Sequence, residues 1–479
     1  MEKLSQLHEL YINGEWIGEG FEKIDVVNPA NHEVIAQVPK VGRVEAFEAV
    51  DAASEALPSW SSLTADKRAQ YLEKWYTLID QEKESIGKLM TEEQGKPLKE
   101  AVGEVGYANS FIKWYAEEGK RVYGDIIPPS HPKKRIFVQK QPVGVVSAIT
   151  PWNFPAAMIT RKIAPALAAG CTVVLKPATQ TPLTAIKLVK LAEEAGIPKG
   201  VINIVVGSSS EIGKAWSEDS RVRKLTFTGS TEVGKVLMRD AADTMKKISL
   251  ELGGHAPVIV MEDADLKKAV RGVIQSKFRN AGQTCICANR IYVHESIKEE
   301  FLQRLNEEVK TLKVGSGLEE GVDIGPLIDE SAMEKVDNHV KEAVQQGAVV
   351  EVGGAKHIDG EGYYYQPTVL SNVNDDMLCM NEETFGPLVP VSTFSDEDEV
   401  IKRANHSPYG LASYVFTENM SRAFRISESL EFGIVGVNDG APSTTQAPFG
   451  GFKESGLGRE GGYQGIEEYL ETKYISLRL

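Results

Sequence analysis

An α/β fold organised around a doubly wound parallel sheet is what this sequence predicts, on three observations. From residue 143 onward, short apolar runs such as Val143-Gly144-Val145-Val146-Ser147-Ala148-Ile149 and Thr172-Val173-Val174-Leu175 alternate with stretches of helical period. That is the pattern left by strands buried on both faces and joined through crossover helices. The segments that follow those runs are rich in proline, glycine and small polar residues, as the ligand-bearing ends of a parallel sheet require. With 479 residues, 42% hydrophobic and 25% charged, the chain is long enough for two or three globular domains.

The elements follow in order. Asn13-Gly14 between two short apolar runs predicts a hairpin over 10–17, and Val26-Val27-Asn28-Pro29 turns the chain. Apolar residues recur at helical spacing over 44–57 and 66–94, with Leu72, Trp75, Tyr76 and Ile79 as a core stripe, and a further helix covers 98–123. After Pro128-Pro129-Ser130-His131-Pro132, the alternating run 135–140 reads as a strand with one wet face, an arm beside the central sheet. Strands at 143–149, 172–175, 201–206, 224–227 and 248–251, with helices at 158–169, 184–195 and 231–242, make the first α/β block. Gly253-Gly254 is the hinge into a second. That block has a helix over 266–280, a strand at 291, helices near 296–310 and 331–346, and strands near 367–370, 388–394 and 413–416.

Bulk properties exclude some functions. A net charge of −15 with no basic stripe disfavours nucleic acid and anionic membranes as partners. Met1-Glu2-Lys3-Leu4-Ser5-Gln6-Leu7-His8 has no apolar leader, and no stretch approaches the roughly 18 apolar residues of a membrane span. Four cysteines without framework spacing fit a reducing compartment, so a cytoplasmic protein is expected.

Phe278-Arg279-Asn280-Ala281-Gly282-Gln283-Thr284-Cys285-Ile286-Cys287 joins a helix to a strand through a turn, where a thiol can face a cleft. A small buried hydrophobe, a disulfide partner and a metal clip are the alternatives. With Cys171 and Cys379 far away and no Cys-x-x-Cys pair, no metal site is expected.

The ends of the first block's strands carry the other candidates. Thr150-Pro151-Trp152-Asn153-Phe154-Pro155 stiffens a turn that presents a carboxamide able to donate to an oxyanion. Lys176, after Leu175, is placed for ribose hydroxyls or a phosphate. Thr228-Gly229-Ser230-Thr231-Glu232-Val233-Gly234-Lys235-Val236 nearly spells a P-loop, but Val236 has no hydroxyl for Mg²⁺, which excludes an NTPase. What remains is a helix N-terminus at Gly229 and Ser230 suited to a pyrophosphate. Glu251 ends an apolar strand, where burial lifts a carboxylate into the general-base range.

These motifs, together with Glu251-Leu252-Gly253-Gly254, Gly282-Gln283-Thr284-Cys285, Glu382-Glu383-Thr384-Phe385-Gly386-Pro387 and Pro448-Phe449-Gly450-Gly451, resemble in kind and order those of the aldehyde dehydrogenase superfamily. The resemblance implies Cys285 as nucleophile, Glu251 as general base and Asn153 as oxyanion donor. It sets Thr150, Trp152, Lys176, Thr179, Gly229, Ser230, Leu252, Glu383 and Phe385 around a nicotinamide cofactor. Because Thr179 stands where NAD-preferring relatives often carry glutamate, NADP is expected to be accepted and preferred, with NAD the alternative.

The same fold implies a cofactor domain of 1–123 and 143–252, a catalytic domain of 253–435, and an oligomerisation arm of 124–142 and 460–479, with 436–459 as linker and active-site loop. A homodimer or homotetramer is the usual outcome. Cys285-Ile286-Cys287-Ala288-Asn289-Arg290 and Ile159-Thr160-Arg161-Lys162 are similar to the succinate-semialdehyde dehydrogenases. This implies that Arg161, Arg279 and Ser443 bind a distal carboxylate, for which a guanidinium is the natural partner. The 438–446 loop departs from that subfamily, leaving glutarate and 2-oxoglutarate semialdehydes open. A non-redox thioester hydrolase or acyltransferase is the rival chemistry. A Cys285–Cys287 disulfide would be a redox switch; an inert Cys287 is the alternative.

Overall fold

The computed structural model describes residues 9–357 and 361–479. The first eight residues, read above as lacking a leader and as starting the cofactor part, lie outside them. Two large sheets, each with helices packed on it, form the body.

The first sheet has eight strands. Its five central strands run parallel in the order Ile202–Ile204, Thr172–Lys176, Val145–Ile149, Val222–Thr228, Lys247–Glu251. The chain order therefore reverses between Val145–Ile149 and Val222–Thr228, and a ligand crevice opens at such a switch point. Leu10–Ile12 and Glu15–Ile17 extend one edge as a hairpin. Its turn residues Asn13 (φ 52°) and Gly14 (φ 83°) take the left-handed conformation that such tight turns demand. Gly456–Leu457 pairs antiparallel with Lys247–Glu251 at the other edge, so the glycine-rich tail closes over the carboxylate end of that strand.

The second sheet runs Val349–Val352, Thr368–Ser371, Leu388–Phe394, Ala288–His294, Ala256–Val260, Ala412–Phe416, Ile434–Val437, parallel except at the first strand. Buried apolar residues fall into two clusters. One runs from Leu10 to Leu252 and takes in Ile466, Tyr469 and Leu470; the other runs from Ala256 to Phe449. The functional motifs sit between them.

A third, small sheet has Lys134–Pro142 at its centre, antiparallel to Leu470–Arg478 on one side and to Asp125–Ile127 on the other. The alternating run at 135–140 thus lies in a strand apart from the two large sheets, but none of its residues is fully buried, so the expected contrast of a wet and a dry face is not seen.

Several elements differ from the sequence reading. The 66–94 region breaks at Glu82 into helices Ala65–Gln81 and Lys83–Gln94. The 266–280 helix stops at Lys277, because Asn280 and Ala281 take positive φ. The hairpin Lys23–Val27/Val34–Pro39, the strand Ala256–Val260 and the helices Ser209–Glu218, Glu397–Asn405 and Met420–Ser429 were not foreseen. Ala256–Val260 follows two glycines so closely that the hinge masked it.

Candidate active site

The nucleophile turn is built by backbone conformation. Asn280 (φ 51°), Ala281 (φ 55°) and Gly282 (φ 78°) are left-handed in succession, which lifts the chain off the helix axis and presents Cys285. Ala281 in that region costs about 1–2 kcal/mol, and Asn280 is held there by its neighbours. Its N–H donates to Glu100 Oε2 at 2.8 Å, its Nδ2 to the Asn153 carbonyl at 2.9 Å, and its Oδ1 accepts from Gln94 Nε2 at 3.0 Å. Gly254 is required opposite: a Cβ there would lie 2.2 Å from the Cys285 carbonyl oxygen.

Two cavities meet at Cys285. The larger, about 470 Å³, is walled by Trp152, Asn153, Gly229, Ser230, Leu252, Cys285, Glu383 and Phe385, with Thr228, Met158 and Lys335 among the others. It lies where the first sheet's order reverses. Ser230 caps the Thr231–Ala242 helix by accepting from the Val233 N–H, so that helix directs its positive end at the crevice, as an anionic ligand requires. Glu383 Oε1 accepts from the Gly254 N–H at 2.9 Å, and burial pushes its carboxyl up to about 7. Phe385 meets Trp152 edge-on at 5.6 Å. Asn153 Nδ2 donates to the Gln283 carbonyl at 3.0 Å, leaving its second N–H for an occupant of the cavity.

The smaller cavity is a slot of about 20 Å³ lined by Tyr107, Phe154, Arg161, Arg279, Cys285, Ser443 and Phe449, with Thr284 and Met158. It holds about one water-sized group, so a carboxylate reaching its arginines requires the lining side chains to move apart. Its two arginines are not equivalent. Arg161 is buried, with Nη2 2.8 Å from Glu460 Oε2 and its guanidinium 4.0 Å from the Phe449 ring centroid. Burial would raise Glu460, but Lys162 and Arg161 outweigh it and hold the carboxylate below its usual range. Arg279 lies 4.8 Å from the Phe154 ring centroid and has no ion pair among the described residues. Of the two, Arg279 is therefore the one without an ion pair among the described residues, with the Glu100 carboxylate within electrostatic reach.

Glu251 ends its strand buried, with Oε2 unpartnered. Burial, then Glu460, raises it well above the ordinary carboxylate value, against Arg161, Lys162 and Arg459. It does not wall either cavity. Its Oε1 faces Gly450, where a Cβ would come within 2.9 Å. Burial also pushes the Cys285 thiol up to about 12; Glu383 and Glu251 add to this and Arg161 opposes it.

Thr150, Lys176 and Thr179 lie off both cavity walls. Thr150 is buried with its hydroxyl unpartnered. Lys176, held down to about 8 by burial, donates to the Pro177 carbonyl at 3.3 Å. Thr179 bonds Gln180 at 3.3 Å. All four cysteines are free. Cys287 is buried, its thiol donating to the Gly282 carbonyl at 3.2 Å and lying 3.7 Å from Lys277 Nζ. Tyr107, Phe154, Phe449 and Glu460 reach the site without having been singled out. Tyr107 and Phe111 meet edge-on on one helix face like any core pair, so periodicity could not distinguish them.

A nucleotide-type crevice at a sheet's switch point, joined at a cysteine to a cationic slot, defines an enzyme of cofactor-linked thiol catalysis. The chain belongs to the aldehyde dehydrogenase family, whose model matches residues 16–475. It is 55% identical to the NADP⁺ succinate-semialdehyde dehydrogenase of Escherichia coli (strain K12), over 98% of this chain and 97% of that one. It is also 55% identical, with the same coverage, to the glutarate-semialdehyde dehydrogenase of Pseudomonas putida (strain KT2440). Succinate-semialdehyde dehydrogenase from Burkholderia pseudomallei superposes with TM-score 0.98 at 48% identity, covering 100% of this chain and 99% of that one.

Proposed function

We propose that this enzyme oxidises succinate semialdehyde, or a close carboxylated semialdehyde, to the dicarboxylate with NADP. The observation that carries the reading is the position of Cys285 on both cavities: cofactor-type groups line one side and the guanidinium groups of Arg161 and Arg279 the other. The donor set suits a dinucleotide. Gly229 and Ser230 offer a helix N-terminus to phosphates, Glu383 an acceptor for ribose hydroxyls, and Phe385 and Leu252 apolar surface for a nicotinamide ring. Bound there, NADP supplies the acceptor for the aldehyde's hydride.

The protein's own residues do the rest. In the slot, Arg279, with Ser443 and Arg161 beside it, holds the distal carboxylate and so brings the carbonyl to Cys285. The thiol gives its proton to solvent water as Sγ bonds to the carbonyl carbon, and the Asn153 N–H left free in the cavity donates to the developing oxyanion. Loss of the hydride converts the thiohemiacetal into a thioester. Glu251, whose carboxyl burial raises well above its ordinary value, takes a proton from water in its ionised form, and hydroxide displaces the Cys285 thiolate to release the acid. Since its carboxylate faces Gly450, it must swing toward the thioester to do so.

The equal identity to a glutarate-semialdehyde enzyme keeps a longer substrate as the second reading. No relative above is a hydrolase or acyltransferase, and the non-redox alternative has no observation of its own.

Two other parts of the reading rest on the fold. The separate cores support a cofactor part of 1–123 and 143–252 and a catalytic part of 253–435. The arm leaves Ile126 80% and Leu477 47% exposed, apolar surface suited to a homodimer or homotetramer. Free cysteines fit the cytoplasm, and no described helix is long and apolar enough to cross a membrane. Near-ultraviolet absorbance of reduced nicotinamide, followed with succinate semialdehyde and NADP, tests the activity. It rises for the wild type and stays flat for Cys285→Ala; no rise for either overturns the reading.

A further inference from the structure

We propose that Lys96, on the link between the Lys83–Gln94 and Leu98–Glu118 helices, is a positioning residue for the oxyanion donor. Its ammonium is buried, with the side chain 1% exposed, and forms an ion pair with Glu104. It also donates to the Asn153 backbone carbonyl at 2.7 Å and lies 4.1 Å from the Phe154 ring centroid. That carbonyl receives a second donor, Asn280 Nδ2, at 2.9 Å. The peptide plane after Asn153 is therefore fixed by Lys96 from the helices that precede the first block and by Asn280 from the nucleophile turn.

The support continues on both sides. Glu104 Oε1 accepts from the Ala156 and Ala157 N–H groups at 2.9 and 3.2 Å, pinning the start of the helix that follows Asn153. The Lys96 N–H donates to Gln94 Oε1 at 3.0 Å, and Gln94 Nε2 in turn donates to Asn280 Oδ1 at 3.0 Å. One short stretch, Gln94 to Glu104, thus braces both the turn that carries the carboxamide and the turn that carries the thiol. Asn153 Nδ2 must divide its two N–H bonds between the Gln283 carbonyl and the reacting oxygen. A rotation of its peptide would swing the free N–H away, and errors of this size cost on the order of 100-fold in rate.

This inference rests on Asn153 being the oxyanion donor, and a double-mutant cycle in kcat separates the two ideas. Lys96→Met would leave the Glu104 carboxylate buried and unpaired, so Lys96→Met/Glu104→Gln is measured beside it. Expected are a fall in kcat of roughly 10- to 100-fold for both Lys96 variants, unchanged NADP affinity, and no further fall when either is combined with Asn153→Ala. Multiplicative losses in the combined variants, or full activity of Lys96→Met/Glu104→Gln, would overturn the role of Lys96. Full activity of Asn153→Ala alone would overturn the oxyanion assignment on which it rests.

Discussion

At the scale of single residues, the site is governed by which buried charges are already paired. Arg161 is bound to Glu460, whereas half-buried Arg279 has no ion pair among the described residues, so they will respond differently to truncation. Arg279→Ala is predicted to raise KM for succinate semialdehyde by the equivalent of about 2–5 kcal/mol while leaving KM for butanal unchanged. Arg161→Ala, which strips Glu460 of one partner, will lower thermal stability as well; steady-state kinetics on the two aldehydes and melting curves check both. Lys176 gives a prediction in pH. Burial lowers it to about 8, so in the free protein it is charged below that pH and neutral above it. If it meets the cofactor's phosphate, binding favours the charged form, and NADP affinity is level below pH 8 and falls up to about tenfold per pH unit above it. Lys176→Met should bind weakly with a flat profile, as isothermal titration would show.

Helix ends are the next scale, and here buried carboxylates serve as caps. Glu93 accepts from the Leu183 and Thr184 N–H groups at 2.8 and 2.9 Å, at the start of the Pro182–Glu194 helix. Burial nonetheless pushes it from 4.5 to about 7. A folded-state value above the unfolded one means that the native state binds the proton more tightly. The stability linked to Glu93 is then complete below about pH 4.5 and lost as pH rises through about 7, on the order of 3 kcal/mol in all. Urea unfolding of wild type and Glu93→Gln at pH 5 and 8 checks this. The variant should lose less stability between the two, and equal losses would refute the linkage.

The same scale shows why some of the site could be read from the sequence and some could not. Asn153, Gly229, Ser230 and Glu251 follow or end parallel strands, and the rule that ligands gather at strand carboxyl ends picks them out without knowledge of contacts. Cys285 was legible as a thiol on a turn. The left-handed run at Asn280 and Ala281 was not, because it is imposed by Glu100, Gln94 and Asn153 from distant segments. Glu460 and Lys96 escaped for the same reason. Each finds its partner across the fold: Arg161 lies 299 positions before Glu460, and Asn153 lies 57 beyond Lys96. Local pattern carries no trace of such pairings.

For the whole molecule, the two cores and the arm set the account. Ile126, Phe137 and Ile475 lie in one cross-strand row on the arm, the kind of neighbouring set that packs as a unit. With Ile126 80% exposed, the row is predicted to be covered in a homo-oligomer. Sedimentation velocity of Ile126→Glu/Ile475→Glu should show a smaller species than wild type, and an unchanged assembly would place the interface elsewhere.

The central claim is that the carbonyl is oxidised while bound to Cys285 and released by Glu251. Intact and peptide mass spectrometry of Glu251→Gln, quenched after reaction with succinate semialdehyde and NADP, tests it most directly. One acyl group on Cys285 is predicted for each reduced nicotinamide formed in the first turnover. Reduced nicotinamide formed with Cys285 unmodified would contradict it.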